Sequence, residues 1–280
     1  MEIIERPTKE EIDRLEKLYK LYIIKNNLDN GGTSIKYECV INKERGLFKQ
    51  RRAPHSKDHI MEQVAYELAL LLGVNCCKAS CRKSNDVYGA FSRYETVNMN
   101  NVITYSNIMK AEELDAETLL ERTINICHGN INTFVKELYQ YIIFDYIMGQ
   151  QDRHLENLSI YRDNRNTTWY PLYDNGLCCF SFYLNDSAIE CLKMGHYSSR
   201  MGLDSDILEA IIKYRNIIWP GDLRQLIHYD RLSPEVIEKI ILKADKYKQI
   251  GKERRQATVN FIYNQAIKIH KVNGGEIICM

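Results

Sequence analysis

The sequence carries no excess of charge of either sign. Its 280 residues hold 38 Lys and Arg against 37 Asp and Glu, a net charge of +1. That balance supplies no global attraction to polyanions, so neither direct nucleic-acid binding nor membrane association is expected. An apolar h-region is missing from MEIIERPTKEE, so no signal peptide is expected there. No uncharged apolar run reaches the roughly 20 residues that cross a bilayer. The stretch YIIFDYIM is too short and is interrupted by Asp145. Zinc spacing is also lacking: Cys76, Cys77 and Cys81 cluster, but no second Cys or His group stands at ligand distance from them. The nine cysteines are odd in number and scattered. They read as reduced, mostly buried thiols of a cytoplasmic protein. There is no internal repeat and no low-complexity tract.

What is present is an ordinary globular mix, 45% hydrophobic and 27% charged, long enough for one large domain or two lobes. TKEE (8–11) reads as a capping box opening an amphipathic helix over 9–26, which stops at NNLDNGG. TSIKYECVI (33–41), the turn NKER and GLFKQ suggest a hairpin. RRAPHSK is a loop. DHIMEQVAYELALLL (58–72) has helical period and ends at Gly73. VYGAFSRYE (87–95) reads as a strand. The helix expected over 133–149 is apolar nearly all round and therefore central. NLSIYRD and TTWYPLYD flank a turn and suggest a small hairpin. From 204 to 270 the period is helical almost throughout. The expected organisation is α+β, with a β-rich N-terminal part over 1–96 and a helical part over 97–280.

Phosphoryl transfer from ATP asks a protein chiefly to position groups and neutralise charge. It needs a backbone-rich loop over the phosphates, a Lys held by a carboxylate, an Asp to orient the attacking hydroxyl, and oxygen ligands for magnesium. Matching residues follow in order. DNGGTSIK (29–36) is a glycine-containing loop before a strand; Lys49 lies in GLFKQ; Glu62 lies on the next helix. Asp152 follows the apolar helix, Asn157 comes five residues later, and Asp174 stands in YDNG after the hairpin. The five-residue gap is that of a kinase catalytic loop.

DRHLEN followed by PLYDNG resembles the HipA-like kinase family and, more distantly, the phosphatidylinositol kinases, which share an Asp-Arg-His-x-x-Asn loop. GGTSIK resembles the family's phosphate loop, GLFKQ its ATP-binding Lys strand, and MEQVAYELALLLGV its Glu-bearing helix. The resemblance spans about residues 29–180. It implies a bilobal protein-kinase-like fold, with a β-rich N-lobe and a mostly helical C-lobe. It also implies ATP- and Mg-dependent phosphorylation of a protein Ser or Thr, with Asp152 as base and Asn157 and Asp174 as magnesium ligands. Gly32, Thr33, Ser34, Lys36, Lys49 and Glu62 would hold the nucleotide. Many members are toxins beside an antitoxin partner. Only about 30 residues precede the phosphate loop here, so this chain is more similar to the short, stand-alone members.

Each residue also has a plainer reading. Asp152 could cap a helix end, although acids are disfavoured at that negative pole. Asp174 precedes Asn-Gly, a good hairpin turn, with CCFSF as the returning strand. Lys49 could belong to a solvated basic patch with Arg51 and Arg52. Strand alternation nevertheless places it opposite Phe48, toward a cleft if Phe48 faces a core. Glu62 and Glu67 compete as its partner; family spacing to Gly73 favours Glu62 and leaves Glu67 solvated. Lys36 faces the nucleotide or alternates outward. Gly31 and Gly32 could simply terminate the first helix. Arg153 and His154 read as loop-holding residues. The adenine pocket is expected near SRYETV (92–97), with Tyr94 and Glu95 as candidates. Autophosphorylation is expected at Thr33 or Ser34, beside the donor phosphate. The alternatives are a lipid or small-molecule kinase on the same scaffold, or a nucleotide-binding pseudokinase acting as an interaction module. Gln150 stands where sugar- and aminoglycoside-type kinases carry His, which argues against the small-molecule version.

Overall fold

Side-chain alternation along ERGLFKQ builds the first sheet. In the computed structural model, β2 (Glu44–Gln50) buries Phe48 completely in a small cluster with Cys39 and Phe91. Lys49 therefore leaves the opposite face. β1 (Lys36–Ile41) pairs antiparallel with β2 and sets Lys36 directly across from Lys49. β3 (Ala79–Ser84) and β4 (Val87–Arg93) complete an antiparallel sheet in the order β1-β2-β4-β3. The structure describes residues 35–41, 44–84, 87–95, 99–110, 116–163, 166–195 and 225–274. The expected helix over 9–26, the loop residues Gly32, Thr33 and Ser34, and the stretch 204–224 lie outside the described residues.

Helix α1 (Asp58–Leu72) packs on β3 and β4, burying Ile60, Val64, Ala65, Leu68 and Leu72. It ends at Gly73 in the left-handed region (φ 77°), whose N–H donates to Ala69 O, the glycine cap that the sequence indicates. Glu67 is not solvated as expected: it pairs with Lys243 at 2.7 Å.

The second half is helical. α2 (Ala116–Ile126) is followed by α3 (Ile131–Met148), whose first turn is capped by Asn130 Oδ1 accepting from Thr133 N at 3.1 Å. α3 buries Phe134, Leu138, Tyr141, Ile142, Ile143, Phe144 and Ile147, so it is central in fact as well as in pattern. A small antiparallel sheet, β5 (Val102–Thr104), β6 (Ser159–Arg162) and β7 (Thr167–Trp169), lies beside it. Trp169 stacks on Phe134 at 4.7 Å and donates Nε1–H to Phe134 O. α4 (Asn185–Met194), α5 (Pro234–Ala244) and α6 (Lys252–Gly274) follow. Ser233 caps α5 and Pro234 opens it.

Four elements were not anticipated: β3, β5, α2 and α4. β3 (ASCRKS) hides only Ala79 and Cys81 and keeps polar residues between them, too weak a signal beside its cysteine cluster. CCFSF is not a returning strand. Cys179 and Phe180 adopt φ of 49° and 53°, and the chain turns there toward α4. Asn157 does not open a strand but ends a 3-10 turn, Leu155–Asn157, two residues before β6. The eight described cysteines are free thiols. Among the described residues no helix is long and apolar enough to cross a membrane.

Candidate active site

The two halves of the chain meet through a backbone clasp. Cys77 N–H donates to Leu172 O at 2.8 Å and Leu172 N–H to Asn75 O at 3.0 Å. The clasp brings the YDNG segment under the first sheet. Asp174 sits there at φ 54°, a left-handed conformation that Asp tolerates better than most residues. Its Oδ1 accepts from Lys49 Nζ, and its Oδ2 lies 3.8 Å from Lys36 Nζ. The cross-strand lysines, repulsive by themselves, thus share one carboxylate. Burial disfavours the Asp174 charge, but Lys49 and Lys36 beside it hold the carboxyl well below the usual carboxylate range.

Glu62 Oε1 accepts the Asn175 N–H at 2.9 Å. Lys49 is paired with Asp174, not with Glu62, so the expected Lys–Glu pair is replaced by a Lys–Asp pair in this state. Burial, with the Asp174 charge behind it, pushes the Glu62 carboxyl up to about 7. A Cβ on Gly176 would come within 3.1 Å of Glu62 Oε2 and 3.0 Å of Asp58 O, so a side chain there would crowd both.

Asp152 follows α3 after Gly149, a left-handed cap at φ 57°, and is not part of the helix end. Its N–H donates to Gln150 Oε1 at 3.1 Å, while Gln150 Nε2 donates to Asp174 O at 3.2 Å. One amide side chain therefore ties the Asp152 loop to the Asp174 loop. Asn157 Nδ2 donates to Asp152 O at 3.0 Å and approaches His154 Nε2 at 3.1 Å. The Asp152 carboxylate accepts from Arg52 Nη2 at 3.3 Å.

Arg153 is buried and fastens the loop from beneath. It donates Nε and Nη2 to the two oxygens of Asp145, Nη1 to Asn157 O and Tyr173 O, and Nη2 to Asn175 Oδ1. Asp145, the acid inside the apolar helix, gains its partner here. Burial pushes its carboxyl up while Arg153 works in the other direction.

A cavity of about 490 Å³ opens between the halves. Lys36, Leu47, Lys49, Ala90 and Ser92 form its sheet side, and Asn157, Ser159, Tyr173 and Asp174 its other side. Glu62, Cys77, Arg93, Tyr94 and Tyr170 also stand in its wall. Lys36, Lys49, Glu62, Asn157, Asp174 and Tyr94 are thereby brought to one space. Asp152 and Glu95 do not line it. Glu95 stands behind the wall: its carboxylate accepts from Lys78 N at 3.1 Å and from Arg93 at 2.8 Å, and its N–H donates to Tyr170 Oη at 3.2 Å. Sequence reasoning missed Gln150, Asn175 and Arg52. Asp145 did carry a signal, because an acid inside a buried helix requires a partner.

Solved structures of similar architecture include the Helicobacter pylori proinflammatory kinase CtkA, with a TM-score of 0.64 and 14% identity over 89% of this chain and 94% of that one. HipA of Shewanella oneidensis MR-1, from a toxin–antitoxin complex with HipB and operator DNA, gives 0.57 and 13% over 96% of this chain and 72% of that one. At such identities the likeness is one of fold: a bilobal, protein-kinase-like α+β fold with a β-rich N-lobe and a mostly helical C-lobe. No curated protein matches the sequence. The model of the HipA-like C-terminal domain matches residues 16–257, most of the chain, and the protein belongs to that family.

Proposed function

We propose that the protein is an ATP- and magnesium-dependent kinase that phosphorylates Ser or Thr on a protein substrate, with an N-lobe over 1–96 and a C-lobe over 97–280. The observation that carries this reading is the convergence of Lys36, Lys49, Asn157 and Asp174 on one cavity, with the peptide of Asp152 bonded to Asn157. Two cations lining one cleft suit a polyphosphate. The donor set also fits a hard divalent ion: Asp174 offers a carboxylate, and Asn157 spends its Nδ2 on Asp152 O and keeps Oδ1 as an oxygen donor. Asn157 and Asp174 would hold magnesium, which when bound neutralises phosphate charge.

Lys49 and Lys36 exchange Asp174 for phosphate oxygens. In the loop that begins at Gly32, the N–H groups of Thr33, Ser34 and Ile35 would cover the phosphates, and backbone near Tyr94 and Glu95 would meet adenine. Asp152 orients the acceptor hydroxyl and takes its proton as the oxygen attacks the γ-phosphorus. The bond to the β-phosphate oxygen breaks and ADP leaves. Phosphate placed on Thr33 or Ser34 would repel incoming nucleotide. A protein antitoxin partner belongs to the same reading. Phosphoproteomics of cells expressing the wild type beside Asp152→Ala tests it. New phosphoserine or phosphothreonine sites dependent on Asp152 are expected. Identical phosphoproteomes, with phosphate found on lipid or small molecules or nowhere, contradict it.

A further inference from the structure

Arg51 and Arg52 both leave β2 in the loop before α1, but only one is engaged away from the site. Arg51 lies over the Tyr88 ring at 4.8 Å and donates to Pro54 O. Arg52 instead reaches across a sequence separation of 100 residues to Asp152 Oδ2 at 3.3 Å. Its backbone is held in place: Arg52 N–H donates to Asp58 Oδ2 at 3.1 Å, and Asp58 Oδ1 accepts from buried Ser56 at 2.7 Å. Gln150 and Asn157 fix the peptide of Asp152. Arg52 meets one of its carboxylate oxygens. The side chains on both sides are mostly covered, with 19% and 11% exposure, so solvent screens the pair only in part.

We infer that Arg52 is a positioning residue for phosphoryl transfer: anchored in the N-lobe, it holds the Asp152 carboxylate of the C-lobe in the orientation that receives the acceptor hydroxyl. This rests on the kinase reading above. What the pair supplies to the reaction is orientation, and an ångström of misplacement at a base costs about 100-fold in rate. The planar guanidinium makes Lys a poor substitute.

The test compares Arg52→Ala and Arg52→Lys with the wild type in steady-state transfer from ATP. Arg52→Ala is expected to lose about 100-fold in kcat. Because Arg52 bonds to Asp152 and is not among the cavity-lining residues, the loss is expected mainly in kcat, with a smaller change in the KM for ATP. Added guanidinium should restore part of the lost kcat, and Arg52→Lys should fall between. Unchanged kcat, or a loss of kcat and ATP affinity together without guanidinium rescue, overturns the inference. A wild type that transfers nothing contradicts the kinase reading instead. The pair is then judged from melting temperatures of Arg52→Gln, Asp152→Asn and the double variant. Non-additive losses support it and additive losses overturn it.

Discussion

Lys36 and Lys49 face each other across β1 and β2, and Asp174 offsets their repulsion from the opposite half of the molecule. Lys49 was legible because Phe48 fixes which way the strand faces. Which carboxylate it holds was not legible, because Glu62 and Asp174 differ by contacts over long sequence distances. Glu62 carries a testable consequence. Its folded carboxyl, raised by burial and by Asp174, titrates near 7 rather than at an ordinary 4.5. Between those values the folded state keeps a proton that the unfolded chain releases. The contribution of Glu62 to stability is therefore present at the acid end and lost as pH rises through about 7. Glu62→Gln, a mimic of the protonated acid, should gain on the wild type in melting temperature across that window, measured without nucleotide and with chelator. Parallel curves would count against the assignment. Arg153 offers a second test. Replacing it by Met takes the guanidinium from Asp145 and should cost about 3–5 kcal/mol in denaturant unfolding; a loss below about 1 kcal/mol would mean the network is not structural.

At the scale of elements, α1 and α3 were readable almost to the residue, because a glycine cap and a long apolar period each leave a strong mark. β3, β5, α2 and α4 were not, since short pieces take their state from what they pack on. The narrow fit of β2 against β4 depends on Gly89. A Cβ there would lie 2.5 Å from Lys49 O and closer still to the Phe48 ring. Gly89→Ala should push β2 away from its neighbour, lowering stability by about 1–3 kcal/mol. Because Lys49 moves with β2, ATP affinity should fall as well. Calorimetric titration of the variant checks this; wild-type affinity would show that β2 does not set the cation's place.

At the scale of the whole molecule, the site exists because distant segments are forced together: strands near residue 50, a helix near 62, and two loops after α3 that are tied by Gln150 and Arg153. The order of the motifs along the chain was visible from the start. The clasp at Cys77 and Leu172 that closes them around a single cavity was not, since backbone bonds leave no side-chain signature. The most direct test incubates purified protein with γ-labelled ATP and magnesium and follows nucleotide binding and label transfer side by side. The wild type should bind and transfer. Asp152→Ala should bind ATP about as well, because its side chain lies outside the cavity wall, yet lose at least about 100-fold in transfer. Transfer by Asp152→Ala at the wild-type rate would contradict the account.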